Sequence, residues 1–117
     1  VIINDDVEEA LKPLKQNLAL YIGGMGAKSR NFHNELVKRM GFEEAAEKIQ
    51  DLFLAGKKDE AAAAVPTELA DEISLVGSVD RIKDRLQAWE DTPVTSLLVS
   101  TRSIGQLRTF ADLVLGS

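Results

Sequence analysis

Residues 73–82 read Ile73-Ser74-Leu75-Val76-Gly77-Ser78-Val79-Asp80-Arg81-Ile82, and the fold is decided there. The short β-branched and apolar run from Ile73 to Val76 has the composition of a strand. Gly77 ends it. Ser78 carries a hydroxyl that can accept a hydrogen bond from a backbone N–H one turn later, which is how helices are capped. Val79, Ile82, Leu86 and Trp89 then recur on one side of a helix over residues 78–90. Strand, glycine-serine turn and helix make one βα unit.

The same rhythm continues toward the C-terminus. Thr92-Pro93 is a turn, and Val94 to Ser100 is the strongest strand signal in the chain, apolar at Leu97-Leu98-Val99. A last helix starts near Ser103, with Ile104, Leu107, Phe110, Ala111 and Val114 facing inward. Residues 73–77 and 94–100 are thus predicted to be parallel neighbours, joined by a right-handed crossover through the helix of residues 78–90. Trp89, Leu86, Ile82, Phe110 and Leu97 form the predicted core of this half.

Toward the N-terminus, Val1-Ile2-Ile3 reads as the end of a buried strand. Asp5 with Glu8 three residues on has the spacing of a capping box. Val7, Ala10, Leu11, Leu14 and Leu18 give the helix its stripe, which Pro13 should kink or restart. The middle of the chain is helical. One helix is predicted from near Ser29 to Gly41, with Phe32, Leu36, Val37 and Met40 inward. A second has its face at Phe42, Ala45, Ala46, Ile49, Leu52 and Phe53 and stops at Gly56. Asp59 is expected to cap a short turn over Glu60 to Val65, and Pro66 to open a further helix carrying Leu69 and Ile73. The expectation is an α/β chain of about three short parallel strands and five to seven helices. Parallel strands normally have strand neighbours on both sides, so three alone would leave open edges.

Composition narrows the function. The chain of 117 residues carries 14 Lys and Arg against 19 Asp and Glu, a net charge of −5, and lacks any basic block. Nucleic acid and anionic membranes are therefore poor partners. It has no cysteine and a single histidine, His33, which excludes disulfides, thiolate metal sites and a zinc pair of histidines. No apolar run approaches the length of a membrane span, and no signal peptide is visible. The cytoplasm is the default compartment.

Two places could carry chemistry. Gly77 and Ser78 lie at a strand-to-helix junction, where a helix N-terminus can hold an anion; a plain cap explains them equally well. Gly23, Gly24 and Gly26 precede Lys28, Arg30, Asn31 and His33. Together these could form a mobile, anion-attracting lid, or a helix stop followed by a solvated helix start. The acidic and basic residues at 43–48 and 80–85 read as solvated faces.

Several phrases, in one order, resemble the C-terminal part of the bacterial-luciferase-like, deazaflavin-dependent oxidoreductases. They are Leu20-Tyr21-Ile22-Gly23-Gly24-Met25-Gly26, Asn31-Phe32-His33-Asn34, Gly41-Phe42-Glu43-Glu44-Ala45-Ala46, Asp51-Leu52-Phe53-Leu54-Ala55-Gly56, Ala61 to Leu69, and Leu75-Val76-Gly77-Ser78 with Arg81-Ile82. The resemblance implies a TIM (β/α)8 barrel. Residues 1–117 would be its C-terminal third, from strand six through strand eight at Val94 to Ser100 to the closing helix, with the N-terminal portion absent. It implies hydride transfer between a deazaflavin, coenzyme F420, and a small organic substrate. Related branches use FMN and oxygen, which keeps monooxygenation as an alternative; a stand-alone helical binding or assembly module is another. Gly77 and Ser78 would lie on the cofactor side, and Gly23, Gly24, Gly26, Lys28, Arg30, Asn31 and His33 on the substrate side. Catalytic side chains in this family sit on earlier strands, so none is assigned, no metal is expected, and the isolated chain should be inactive. A homodimer is compatible with the family.

Overall fold

The computed structural model describes residues 1–101 and 103–116. Two strands, β1 (Ile2–Ile3) and β2 (Val76–Gly77), seven α-helices and one π-helical turn (Leu20–Gly24) make up the regular structure of these residues. The helices are α1 (Val7–Ala19), α2 (Phe32–Arg39), α3 (Glu43–Leu54), α4 (Lys58–Ala63), α5 (Thr67–Glu72), α6 (Val79–Glu90) and α7 (Ile104–Leu115). The chain divides into two compact units, residues 1–10 with 74–117, and residues 11–73.

In the first unit β1 and β2 pair in parallel, with Ile2 opposite Val76 and Ile3 opposite Gly77. The Ile2 N–H donates to the Leu75 carbonyl at 3.0 Å and the Asn4 N–H to the Gly77 carbonyl at 2.9 Å. Leu75, Ile82, Leu86 and Phe110 are buried together, and Trp89, Val99, Val1, Ile3 and Leu113 close over them partly buried. Four of the five predicted core residues therefore pack as expected, Trp89 only in part. Leu97 does not: it is 42% exposed.

The third predicted strand is absent. Residues 94–100 have no strand pairing, and the parallel neighbour of β2 is β1 instead. The outer edges of this sheet are occupied by side chains. Gln106 of α7 accepts the Ile3 N–H at 3.0 Å and returns its own amide N–H to the Ile3 carbonyl at 3.4 Å. On the other edge, Arg81 of α6 donates to the Val76 carbonyl. Strand β2 is also shorter than expected, because Ile73 closes α5 as its C-cap and is exposed.

In the second unit the largest buried side chains are Leu11, Ile22, Ile49, Val65 and Leu69. Each contributes roughly 1.5–3 kcal/mol on burial. Helix α1 runs through Pro13 without a break and continues as a π-helical turn over Leu20–Gly24. Its cap lies one residue later than the spacing suggested: Asp6, not Asp5, accepts the Glu9 N–H at 3.1 Å. Helices α2 and α3 stop where the glycines predict. Gly41 and Gly56 have φ of 99° and 82°. At both, the next residue's N–H reaches back a full turn, Phe42 to Val37 at 3.2 Å and Lys57 to Leu52 at 2.9 Å, the Schellman closure. Helix α4 starts ahead of Asp59, which falls in its first turn and does not cap it.

Candidate functional site

At the strand-to-helix junction of the first unit, β1 and β2 run parallel and point their C-terminal ends the same way. Asn4, Asp5 and Asp6 therefore lie at the same end of the sheet as Gly77 and Ser78. Gly77 is buried with φ of 126°, a region that disfavours side chains. A Cβ placed there would come 2.7 Å from the Arg81 Cδ, so the missing side chain is what lets Arg81 fold back toward Val76. Ser78 caps α6 as expected, its hydroxyl accepting the Arg81 N–H at 3.2 Å. The earlier N–H groups of α6 have no intrahelical acceptor, as at any helix start.

In the second unit the glycine segment is closely packed. Gly23 and Gly24 lie within the π-helical turn against Phe53 of α3; a Cβ on Gly23 would sit 2.6 Å from the Phe53 Cβ and 3.1 Å from the Ile49 carbonyl. Gly26, at φ 153°, would bring a Cβ to 2.5 Å from the Arg30 carbonyl. These glycines sit where a Cβ would not fit.

Asn31 is likewise not part of a solvated patch. It is 2% exposed and is the N-cap of α2, so that helix starts three residues later than predicted. Its Oδ1 accepts the Asn34 N–H at 3.0 Å, and its Nδ2 donates to the Tyr21 and Ile22 carbonyls at 3.1 and 3.0 Å. Asn34, 1% exposed, donates to the Ile22 and Ala46 carbonyls at 3.1 and 2.9 Å. The two asparagines thus satisfy carbonyls that a π-helical turn leaves poorly paired, and they tie that turn to α2 and α3. Asn34 escaped the sequence reading, although its spacing of three from Asn31 is that of a cap with its N3 partner.

Beside this turn stand several exposed groups and the half-buried His33. The His33 ring stands edge-on to Tyr21 at 5.0 Å and to Phe32 at 5.5 Å between centroids. Phe32 is 68% exposed, against the expectation that it faces inward. Arg30 is exposed. Lys28 pairs with Asp51 at 2.8 Å, and that hydrogen bond and charge hold its ammonium above its ordinary pKa. Lys28, Lys38, Glu47, Gln50 and Asp51 line an open cavity of about 260 Å³. Two cations and two carboxylates leave it without net charge, and the buried Gln50 amide nitrogen has no protein partner; a polar cavity of that kind is normally completed by water. Among the described residues no three His, Asp or Glu side chains converge as metal ligands, and no helix is long and apolar enough to cross a membrane.

Residues 1–96 match the family described as luciferase-like monooxygenase. A curated relative from Mycobacterium tuberculosis (strain ATCC 25618 / H37Rv), named a putative coenzyme F420-dependent oxidoreductase, is 41% identical over 114 residues. That alignment covers 97% of this chain and 33% of the relative, so the chain spans about a third of the relative's length. No solved structure matches it.

Proposed function

The chain belongs to the luciferase-like monooxygenase family, and from that premise we propose that it is the C-terminal third of a TIM-barrel oxidoreductase that moves a hydride between coenzyme F420 and a small organic substrate. The observation that carries the reading is the identity of 41% across 97% of the chain to a relative named for that coenzyme. The geometry supports it in one respect. Two parallel strands each deliver a helix N-terminus to the same end of the sheet, which is where barrels of this class place their sites.

A coenzyme carrying an anionic tail fits the Gly77–Ser78 junction. The first N–H groups of α6 are its anion donors, while Gly77 itself is buried and the space its Cβ would take is filled by Arg81. Ser78 holds the Arg81 N–H and so fixes the register of those donors. When bound, the deazaflavin supplies a ring carbon that takes up or gives back a hydride. The residues of this chain would position its tail and shield the reacting end; the catalytic side chains would come from earlier strands, and the 117 residues alone would turn nothing over. The family's description as monooxygenase supports FMN as the second reading, and the absorption spectrum of the purified full-length protein separates the two.

On the substrate side the reading narrows to Lys28, Arg30 and His33, with Tyr21 and Phe32, carried on the asparagine-braced turn. In the full-length enzyme Arg30→Ala and His33→Ala are expected to raise KM or lower kcat with coenzyme affinity unchanged. Steady-state kinetics with coenzyme titration tests this. Unchanged kinetics in both variants would make the segment a surface connection, and loss of coenzyme affinity alone would put it on the coenzyme side.

A further inference from the structure

The His33 ring lies edge-on to Tyr21, with centroids 5.0 Å apart and planes at 75°, and edge-on to Phe32 at 5.5 Å. Among the described residues neither of its ring nitrogens has a hydrogen-bond partner. No bond to the imidazole itself therefore sets where the ring sits. What sets it is the backbone on each side of the Tyr21 contact, and three amide hydrogen bonds join those two stretches of backbone. The Asn31 Nδ2 donates to the Tyr21 carbonyl at 3.1 Å and to the Ile22 carbonyl at 3.0 Å, and the Asn34 Nδ2 donates to the Ile22 carbonyl at 3.1 Å. Asn34 extends the link to α3 through the Ala46 carbonyl at 2.9 Å. Both asparagines are buried, and all of these partners lie within one compact unit, residues 11–73. The linkage is thus complete inside that unit and needs no neighbouring chain.

We infer, on the substrate-side reading proposed above for His33, that Asn31 and Asn34 are positioning residues that act through it. They set its imidazole against Tyr21, so that the uncommitted ring nitrogens meet a polar group of the substrate in one orientation. The terminal torsion of a histidine is broad and roughly two-fold, so a ring without hydrogen bonds depends on its packing partners for its orientation. Here the partner is Tyr21, whose own carbonyl Asn31 holds. The spacing of three residues brings both amides to the inner side of the first turn of α2, and His33 between them is left half-buried. Asparagine suits the task because its side chain is short, and each of these amides is buried and donates twice. Accuracy matters in such a place, since a misplacement of about 1 Å can cost roughly a hundredfold in rate.

The 117-residue chain has one histidine and one tyrosine, so a nuclear Overhauser cross-peak between their ring protons is unambiguous. Asn31→Ser keeps a good cap but is too short to hold both carbonyls; Asn34→Ala removes the other donor. In both variants the His33–Tyr21 cross-peak should weaken or vanish and the His33 ring signals should shift, while Leu86→Ala, in the other unit, leaves them in place. In the full-length enzyme each asparagine variant should lower kcat/KM by about tenfold to a hundredfold, with coenzyme affinity unchanged. That loss should disappear when His33 is already alanine, because a residue that acts through another then has nothing left to position. Cross-peaks that persist in both variants overturn the inference. So does a loss of kcat/KM that is as large in the His33→Ala background, which marks general damage to the fold. If His33→Ala lowers kcat/KM and neither asparagine variant does, the inference falls and the substrate-side reading stands. If His33→Ala itself changes nothing, that reading falls and the inference with it.

Discussion

Replacing Asn31 separates two roles that its side chain plays at once. As a cap it accepts the Asn34 N–H; as a donor it holds the Tyr21 and Ile22 carbonyls of the π-helical turn. Loss of a cap costs about 1 kcal/mol. Loss of two buried neutral hydrogen bonds costs about 0.5–1.5 kcal/mol each, reduced at Ile22 because Asn34 still donates to that carbonyl. Asn31→Ala should therefore destabilise the chain by about 2–4 kcal/mol. Asn31→Asp keeps the cap, and aspartate is as good a cap as asparagine. It also places an acceptor beside two carbonyl oxygens in a buried position, so at neutral pH it should cost at least as much as Ala. Its carboxyl pKa would be raised in the folded state, since protonation restores a donor. A group that binds its proton more tightly when folded adds stability as pH falls, so the Asp variant should recover between its raised folded pKa and the unfolded value near 3.9, roughly. Urea unfolding followed by far-ultraviolet circular dichroism reads both effects as shifts of the midpoint at constant slope. An Asp variant within about 0.5 kcal/mol of the parent at neutral pH would refute the reasoning, because the cap alone would then account for Asn31.

Three further substitutions test the first unit by the same melts. Leu97→Ala should cost less than about 0.5 kcal/mol, as for an exposed residue, while Leu86→Ala should cost about 2–5 kcal/mol; equal losses would mean that Leu97 is packed after all. Gly77→Ala should cost more than about 1 kcal/mol, because φ of 126° and the Arg81 Cδ at 2.7 Å both oppose a side chain there. A neutral result would show that Arg81 moves freely off the junction.

The elements that the sequence reveals are those whose determinants are local. Ser78 caps α6 through a residue three positions away, and Gly41 and Gly56 end α2 and α3 through contacts within one turn. The stretch at 94–100 shows the limit of that logic. Its pattern states a propensity, but a strand exists only beside another strand, and the pairing groups nearest to it in its own unit are held by Gln106 and Arg81. The fold class was legible as helix-rich α/β; the number of strands was not, because edges are a property of partners.

The glycine segment shows a related limit. Gly23 and Gly24 followed by charged residues carry the composition of a hinge, and composition alone cannot distinguish a hinge from a close contact. What decides it is the Phe53 ring, thirty residues downstream, against which neither glycine can bear a Cβ. Asn31 and Asn34 then lock the same turn from the other side. If it meets a substrate, it does so as a fixed wall, with Tyr21, Phe32 and His33 presented in set positions. Substitutions beneath it, at Asn34 or Gly24, should then alter the site by displacing that wall and not by changing how often it opens.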